Sequence, residues 1–223
     1  MKKIIIIAVF VLLTLSACSG TLDVVGQQAS VSFDEVLNII PARLRENETN
    51  NGWSLNSPDG AIWFIWSGDS DKSPRRDVMF EMHPGAFYNA GLDDSKLPDN
   101  YLIDDAGMLT IGAKLGDKKL APEGEATPLA AFEQIVKNYR SAIGYHTEMD
   151  HFNVDLGGGN MFEWAKDMNT NDKDVVFALN PEPFIAAGVD PENVEGWSYA
   201  PVTVTIDGRP TQIWKFLKAY DLK

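Results

Sequence analysis

One stretch of this chain is written twice. Asp77-Val78-Met79-Phe80 returns as Asp174-Val175-Val176-Phe177, and Pro84, Phe87, Ala90, Gly91 and Asp93 return as Pro181, Phe184, Ala187, Gly188 and Asp190. Eight of the seventeen positions from Asp77 to Asp93 are identical to the residue 97 positions later. A period of that kind fixes architecture before any other reading, because one structural unit must then serve two sequences. A residue type shared by both segments is expected to hold the fold. A residue found in only one of them is the better candidate for function.

The match extends to the preceding helices. Phe33, Val36, Leu37, Ile40 and Leu44 follow helical spacing, and Phe132, Ile135, Val136, Tyr139 and Ile143 repeat the stripe 99 positions on. Ser32 with Glu35 fits a capping box, Pro41 should end the first helix, and Thr127-Pro128 marks the start of the second. A strand follows in each segment, Ala61 to Trp66 and Gly159 to Trp164, with Phe64 and Trp66 recurring as Phe162 and Trp164 on one face. The opposite face differs: Trp63 and Ile65 become Met161 and Glu163. The apolar run from Ile62 to Trp66 reads as a strand covered on both sides. Its extra cover is expected to be the other unit, or else a ligand or partner.

After the repeated strand, His83-Pro84 and Asn180-Pro181 open short helices closed by Gly91 and Gly188, with His83 read as a polar cap. Hairpins close each unit, Tyr101 to Ile103 with Met108 to Ile111, and Val202 to Ile206 with Thr211 to Phe216. The expected fold is α+β: two tandem copies of a helix-on-antiparallel-sheet unit, each running helix, two strands, short helix, two strands, and packed with pseudo-twofold symmetry. The boundaries are 1–17 for a signal peptide, 18–31 for a small, polar tether, 32–126 for the first repeat and 127–223 for the second.

Residues 1–17 read as an address. Lys2 and Lys3 precede an apolar run, Ile4 to Leu13, too short to span a bilayer, which takes ~20 apolar residues. Leu15-Ser16-Ala17-Cys18 resembles the lipobox of bacterial lipoproteins. The resemblance implies that the signal is cleaved before Cys18, that the Cys18 thiol carries diacylglycerol, and that the new amino terminus is acylated, which gives stable anchoring. The domain would then sit outside the cytoplasm on the cell membrane or the outer membrane; Ser19 after Cys18 is compatible with outer-membrane sorting.

Cys18 is the only cysteine among 223 residues. With its sulfur lipidated, no thiol remains for a disulfide, a thiolate metal site or a cysteine nucleophile. A formal net charge of -13 repels nucleic acid and anionic head groups, so neither is an expected partner. The expected partners are the membrane, through the anchor, and an envelope protein or small ligand.

Three constellations bear on chemistry. Asp167, Asn169 and Asn171 resemble the start of an EF-hand loop, but the sixth position is Asp172 instead of glycine and the twelfth is Ala178 instead of glutamate. His146, Glu148, Asp150 and His151 are nitrogen and oxygen donors close in sequence, although a spacing of five puts the histidines on opposite faces of a strand. Calcium or zinc on these two groups is the alternative to an expectation of no cofactor. Gly157-Gly158-Gly159 lacks the lysine and helix start of a phosphate loop and reads as a turn. No serine-nucleophile motif is present.

The aromatic surplus points elsewhere. Trp53, Trp63 and Trp197 lack aromatic counterparts in the aligned segment, and together with Ile65 they are the candidate ligand-binding residues. The functional expectation is a membrane-anchored envelope lipoprotein that binds a ligand or protein and is not a catalyst. The alternatives are a metal-dependent hydrolase at the junction of the repeats and a purely structural envelope component.

Overall fold

A computed structural model describes residues 17–47, 52–67, 76–116, 127–170, 172–206 and 209–222. In chain order the elements are α1 (Ala17–Ile39), β1 (Leu44–Asn47), β2 (Gly52–Asn56), β3 (Ile62–Ser67), β4 (Val78–Met82), α2 (Gly85–Asn89), β5 (Tyr101–Ile103) and β6 (Leu109–Ala113). There follow α3 (Pro128–Asn138), β7 (Ile143–His146), β8 (His151–Asp155), β9 (Met161–Ala165), β10 (Val175–Leu179), α4 (Glu182–Ala186), β11 (Ser198–Ile206) and β12 (Arg209–Tyr220). The strands form two six-stranded antiparallel sheets, ordered β1-β2-β3-β4-β6-β5 and β11-β12-β10-β9-β8-β7. Read from the other edge, the second order is β7-β8-β9-β10-β12-β11, the same path as the first.

The sheets are larger than the four strands expected of each. The additional hairpins are β1–β2 and β7–β8; β1 has one apolar residue, Leu44, and the other three strands alternate over only two each, Trp53 with Leu55, Ile143 with Tyr145 and Phe152 with Val154. They are held by register to their neighbours, Leu55 opposite Phe64 and Val154 opposite Phe162.

The inner faces pack on each other through residues that the sequence aligns. Phe64 stacks on Phe162 at 4.3 Å between centroids and 4° between planes. Phe33 stacks on Phe132 at 3.9 Å, Phe80 meets Phe177 at 5.4 Å, and Phe87 stacks on Phe184 at 4.4 Å. Gly91 and Gly188 also face each other: a Cβ on Gly91 would lie 2.8 Å from the Gly188 carbonyl oxygen. Both have positive φ, which glycine adopts without strain. The loops beside them exchange bonds, Asp93 N–H to the Ala187 carbonyl and Asp190 N–H to the Ala90 carbonyl, each 2.8 Å.

Two corrections concern the helices. Each packs chiefly on the other sheet: α1 lies against β9 and β7, α3 against β3 and β2, and the two helices against each other, while Phe33 and Phe132 also reach Trp66 and Trp164 of their own sheets at 5.5 Å. The Trp66 indole donates to the Pro128 carbonyl at 3.0 Å, and the Trp164 indole donates to Ser32 Oγ at 2.9 Å. Secondly, α1 does not start at Ser32. Ser32 lies inside a continuous helix, so it forms no capping box, and residues 18–31 are helical where a tether was expected. Val25, Gly26 and Ala29 continue the buried stripe toward the amino terminus, and a Cβ on Gly26 would press to 3.1 Å from Val136. Small residues there permit the close crossing with α3.

Two aspartates at aligned positions make equivalent bonds. Asp77 is buried and accepts from the Leu115 amide at 2.5 Å; Asp174 is buried and accepts from the Leu222 amide at 2.5 Å. Each fastens the chain that leaves its closing hairpin.

Candidate functional site

The outer faces of the two sheets differ. On the first, Ile65 is 1% exposed beside Met79 in register. On the second, the aligned position is Glu163, flanked by Asn153 on β8 and Val176 on β10. Glu163 is 4% exposed, and His151 is fully buried. A carboxyl group in such a place costs several kcal/mol unless it is paired, at about that scale for each ion.

Its pairing comes from the β7–β8 hairpin. His146 and His151 flank a four-residue turn and are register partners, so they share a face after all. The spacing of five was measured along one element, whereas the chain reverses between them at Asp150, whose φ is 52°. His146 Nδ1 lies 3.4 Å and His151 Nδ1 3.9 Å from Glu163 Oε2. His146 Nε2 is 2.9 Å from the Thr203 carbonyl. Both nitrogens of that ring face oxygen acceptors, which favours the imidazolium. The bond to Glu163 raises the His146 pKa from its ordinary value, against the opposing effect of burial. Burial lowers the His151 pKa instead, against the nearby Glu163 charge. Among the described residues neither ring nitrogen of His151 has a hydrogen-bond partner. Gly144 makes room for the cluster, because a Cβ there would lie 2.5 Å from Asn153 Oδ1.

Thr203 is on β11 and His146 on β7, the two edges of the second sheet. The sheet therefore curls until its edges meet through one side chain, and a cavity of about 250 Å³ lies inside the curl. Its floor is Met161, Val176, Ala178 and Leu217, its roof Val202 and Val204. Thr147 and Glu148 line it from an exposed turn, and Lys215, 4% exposed, lines it from β12. The Lys215 ammonium donates to the Gly159 carbonyl in the triple-glycine turn, where φ values of 85°, 64° and 83° bear out the turn reading.

The other sequence candidates scatter. Asp150 is not a lining residue of the cavity and bonds Tyr145 and, at 3.7 Å, Lys166. Asp167 Oδ1 accepts from Asn169 N and Nδ2 at 2.9 and 3.0 Å, a turn closed on itself; Asn171 lies outside the described residues. Among the described residues no group of three or more His, Cys, Asp or Glu is placed to hold a metal ion.

Trp53, Trp63 and Trp197 do not line one groove. Trp53 shares the inner face with Trp66, its register partner, and Trp63 is on the outer face, edge-on to His83 at 5.8 Å. His83 makes no helix cap; in the second half Asn180 does, accepting from the Glu182 amide at 3.2 Å. Trp197 packs on Phe87 and lines a cleft of about 260 Å³ between the halves, with Met82, His83 and Ala86 on one side and Glu195 and Lys218 on the other. Lys218 holds Asp59 of the first half at 2.7 Å.

Sequence reasoning missed Lys215 and Thr203. Lys215 alternates with Trp214 and Phe216, so it reads as a solvent-facing strand residue. Thr203 acts through its carbonyl, which no residue type announces. No helix among the described residues is long and apolar enough to cross a membrane. Comparison with known proteins returned no matching family model, no matching curated protein and no matching solved structure.

Proposed function

We propose that this chain is an envelope lipoprotein, anchored through Cys18, that binds a small molecule in the cavity of its second sheet without transforming it. On this reading the chain is an internal duplication packed about a pseudo-twofold axis. The line of counterpart contacts, Phe33 with Phe132, Phe64 with Phe162, Phe80 with Phe177 and Phe87 with Phe184, supports it. One unit keeps an apolar outer face and the other carries the site.

The observation that carries the proposal is Glu163. The first sheet closes the aligned position with Ile65, so the fold does not need a carboxyl group there. A buried carboxyl group beside two histidines, one of which, His146, lines the cavity with it, makes a candidate functional site. A ligand-observed NMR screen of small fragments against the wild type and Ala178→Phe tests it. Fragment binding that disappears in the filled variant is expected. Binding unchanged by the filling, or no binding at all, refutes the proposal.

A metal-dependent hydrolase is the second reading: His146 and His151 sit beside Glu163, although among the described residues no three such donors are placed to hold a metal ion. It requires stoichiometric zinc or calcium binding that His146→Ala abolishes; calorimetry without such binding removes it. For the anchor, palmitate labelling should vanish in Cys18→Ala, and no labelling of the wild type, or labelling retained in the variant, would rule out a lipid on Cys18.

A further inference from the structure

The charges around the cavity do not cancel locally. Glu163 faces His146 and His151 at one end. Lys215 lies toward the Gly157–Gly159 turn at the other, where its ammonium meets a backbone carbonyl. A Cβ on Gly159 would sit 3.4 Å from the Lys215 nitrogen, so the glycine lets the ammonium approach the backbone. Among the described residues no carboxylate oxygen lies within ion-pairing distance of Lys215. Burial lowers its pKa, opposed by the more distant charges of Glu163, Asp155 and Glu182.

A lysine this buried is uncommon without a counter-charge. Glu163 does not serve, because His146 engages it. Between the two polar ends the walls are aliphatic: Met161, Val176, Ala178, Val202, Val204 and Leu217. The volume falls below the ~300–1,000 Å³ of pockets for drug-sized ligands, which limits the occupant to a small molecule.

We infer that the ligand is a small organic monoanion, a carboxylate on a short apolar body, with Lys215 as its counter-ion and the aliphatic walls around its body. This rests on the cavity being the binding site, as proposed above. The anion would be neutralised in a low-dielectric setting, inside a chain whose net charge of -13 would otherwise repel it. Charge selection then comes from one residue and shape selection from the roof strand β11.

Three probes of equal length separate the possibilities: hexanoate, hexanamide and hexylamine, titrated calorimetrically into the purified protein at neutral pH. Hexanoate is expected to bind roughly tenfold or more tightly than the other two, a difference of about 1.4 kcal/mol. Lys215→Met should remove that preference while its melting temperature stays level or rises, because a buried charge has gone. Hexanamide or hexylamine binding as well as hexanoate, in a manner abolished by Ala178→Phe, would overturn the anion assignment and leave the cavity reading standing. If none of the three binds, the anion assignment falls. If the broader fragment screen is also empty, the cavity reading falls with it. Hexanoate affinity unchanged in Lys215→Met would equally overturn the role of Lys215.

Discussion

His146 Nε2 lies 2.9 Å from the carbonyl of Thr203, and that bond joins the first and last strands of a six-stranded sheet. A curled sheet is thereby closed by a side chain instead of a backbone ladder. Replacing His146 with Phe keeps the ring volume and removes both polar contacts. The expected cost is about 1–3 kcal/mol, since Glu163 is left buried without its main partner. Hydrogen exchange should quicken selectively in β11, around Thr203, and leave β9 and β10 protected.

The two histidines should respond to pH in opposite senses. The folded pKa of His146 is raised, so its contribution is full below the unfolded value of ~6.5 and fades as pH climbs through the folded one. The folded pKa of His151 is depressed by burial, so the neutral ring is favoured. Its contribution is full above ~6.5 and fades as pH falls. Melting curves between about pH 5 and 8 should show His151→Phe flattening the acid limb and His146→Gln flattening the alkaline limb. Equal effects of both variants on one limb would contradict this assignment.

Glu163→Ile copies the first sheet into the second. The fold accommodates isoleucine at the aligned Ile65, so Glu163→Ile combined with His146→Phe, which replaces both partners, should lose no more than about 1 kcal/mol and can gain, as replaced buried ion pairs often do. Fragment binding in the cavity should fall at the same time. A variant that unfolds would show that Glu163 is structural.

Phe64 and Phe162 stack in parallel across the core. Truncating either to Ala should cost about 3–5 kcal/mol, by similar amounts if the halves are equivalent. A double-mutant cycle should return a coupling of about 0.5–1.5 kcal/mol. Because each helix lies on the opposite sheet, urea unfolding should remain one transition in all three variants.

The repeated residues made the inner architecture legible. Phe33, Phe64, Phe80 and Phe87 recur because each meets its own counterpart, and Asp77 and Asp174 recur because each fastens a chain end. The period is silent on which sheet a helix covers. Exchange of α1 and α3 is set by the crossing at Gly26 and by two indole hydrogen bonds, one of which ends on a backbone carbonyl. The β1–β2 and β7–β8 hairpins show at most two alternating apolar residues per strand, too short a period to announce a strand. The site was half legible: the mismatch of Ile65 with Glu163 and the His146 to His151 segment both stand out as differences between the aligned segments, and in space Glu163 meets both histidines. Their meeting depends on a hairpin reversal and on the length of β11 and β12, which residue types alone do not disclose.

Two methionines offer the sharpest test. Met161 lines the cavity of the second sheet, whereas Met79 lies on the outer face of the first, next to Ile65. With methionine methyl groups labelled, hexanoate titration should move the Met161 resonance saturably and leave Met79 in place. A Met79 shift equal to that of Met161, or no shift at either, would contradict a ligand site built into the second sheet alone.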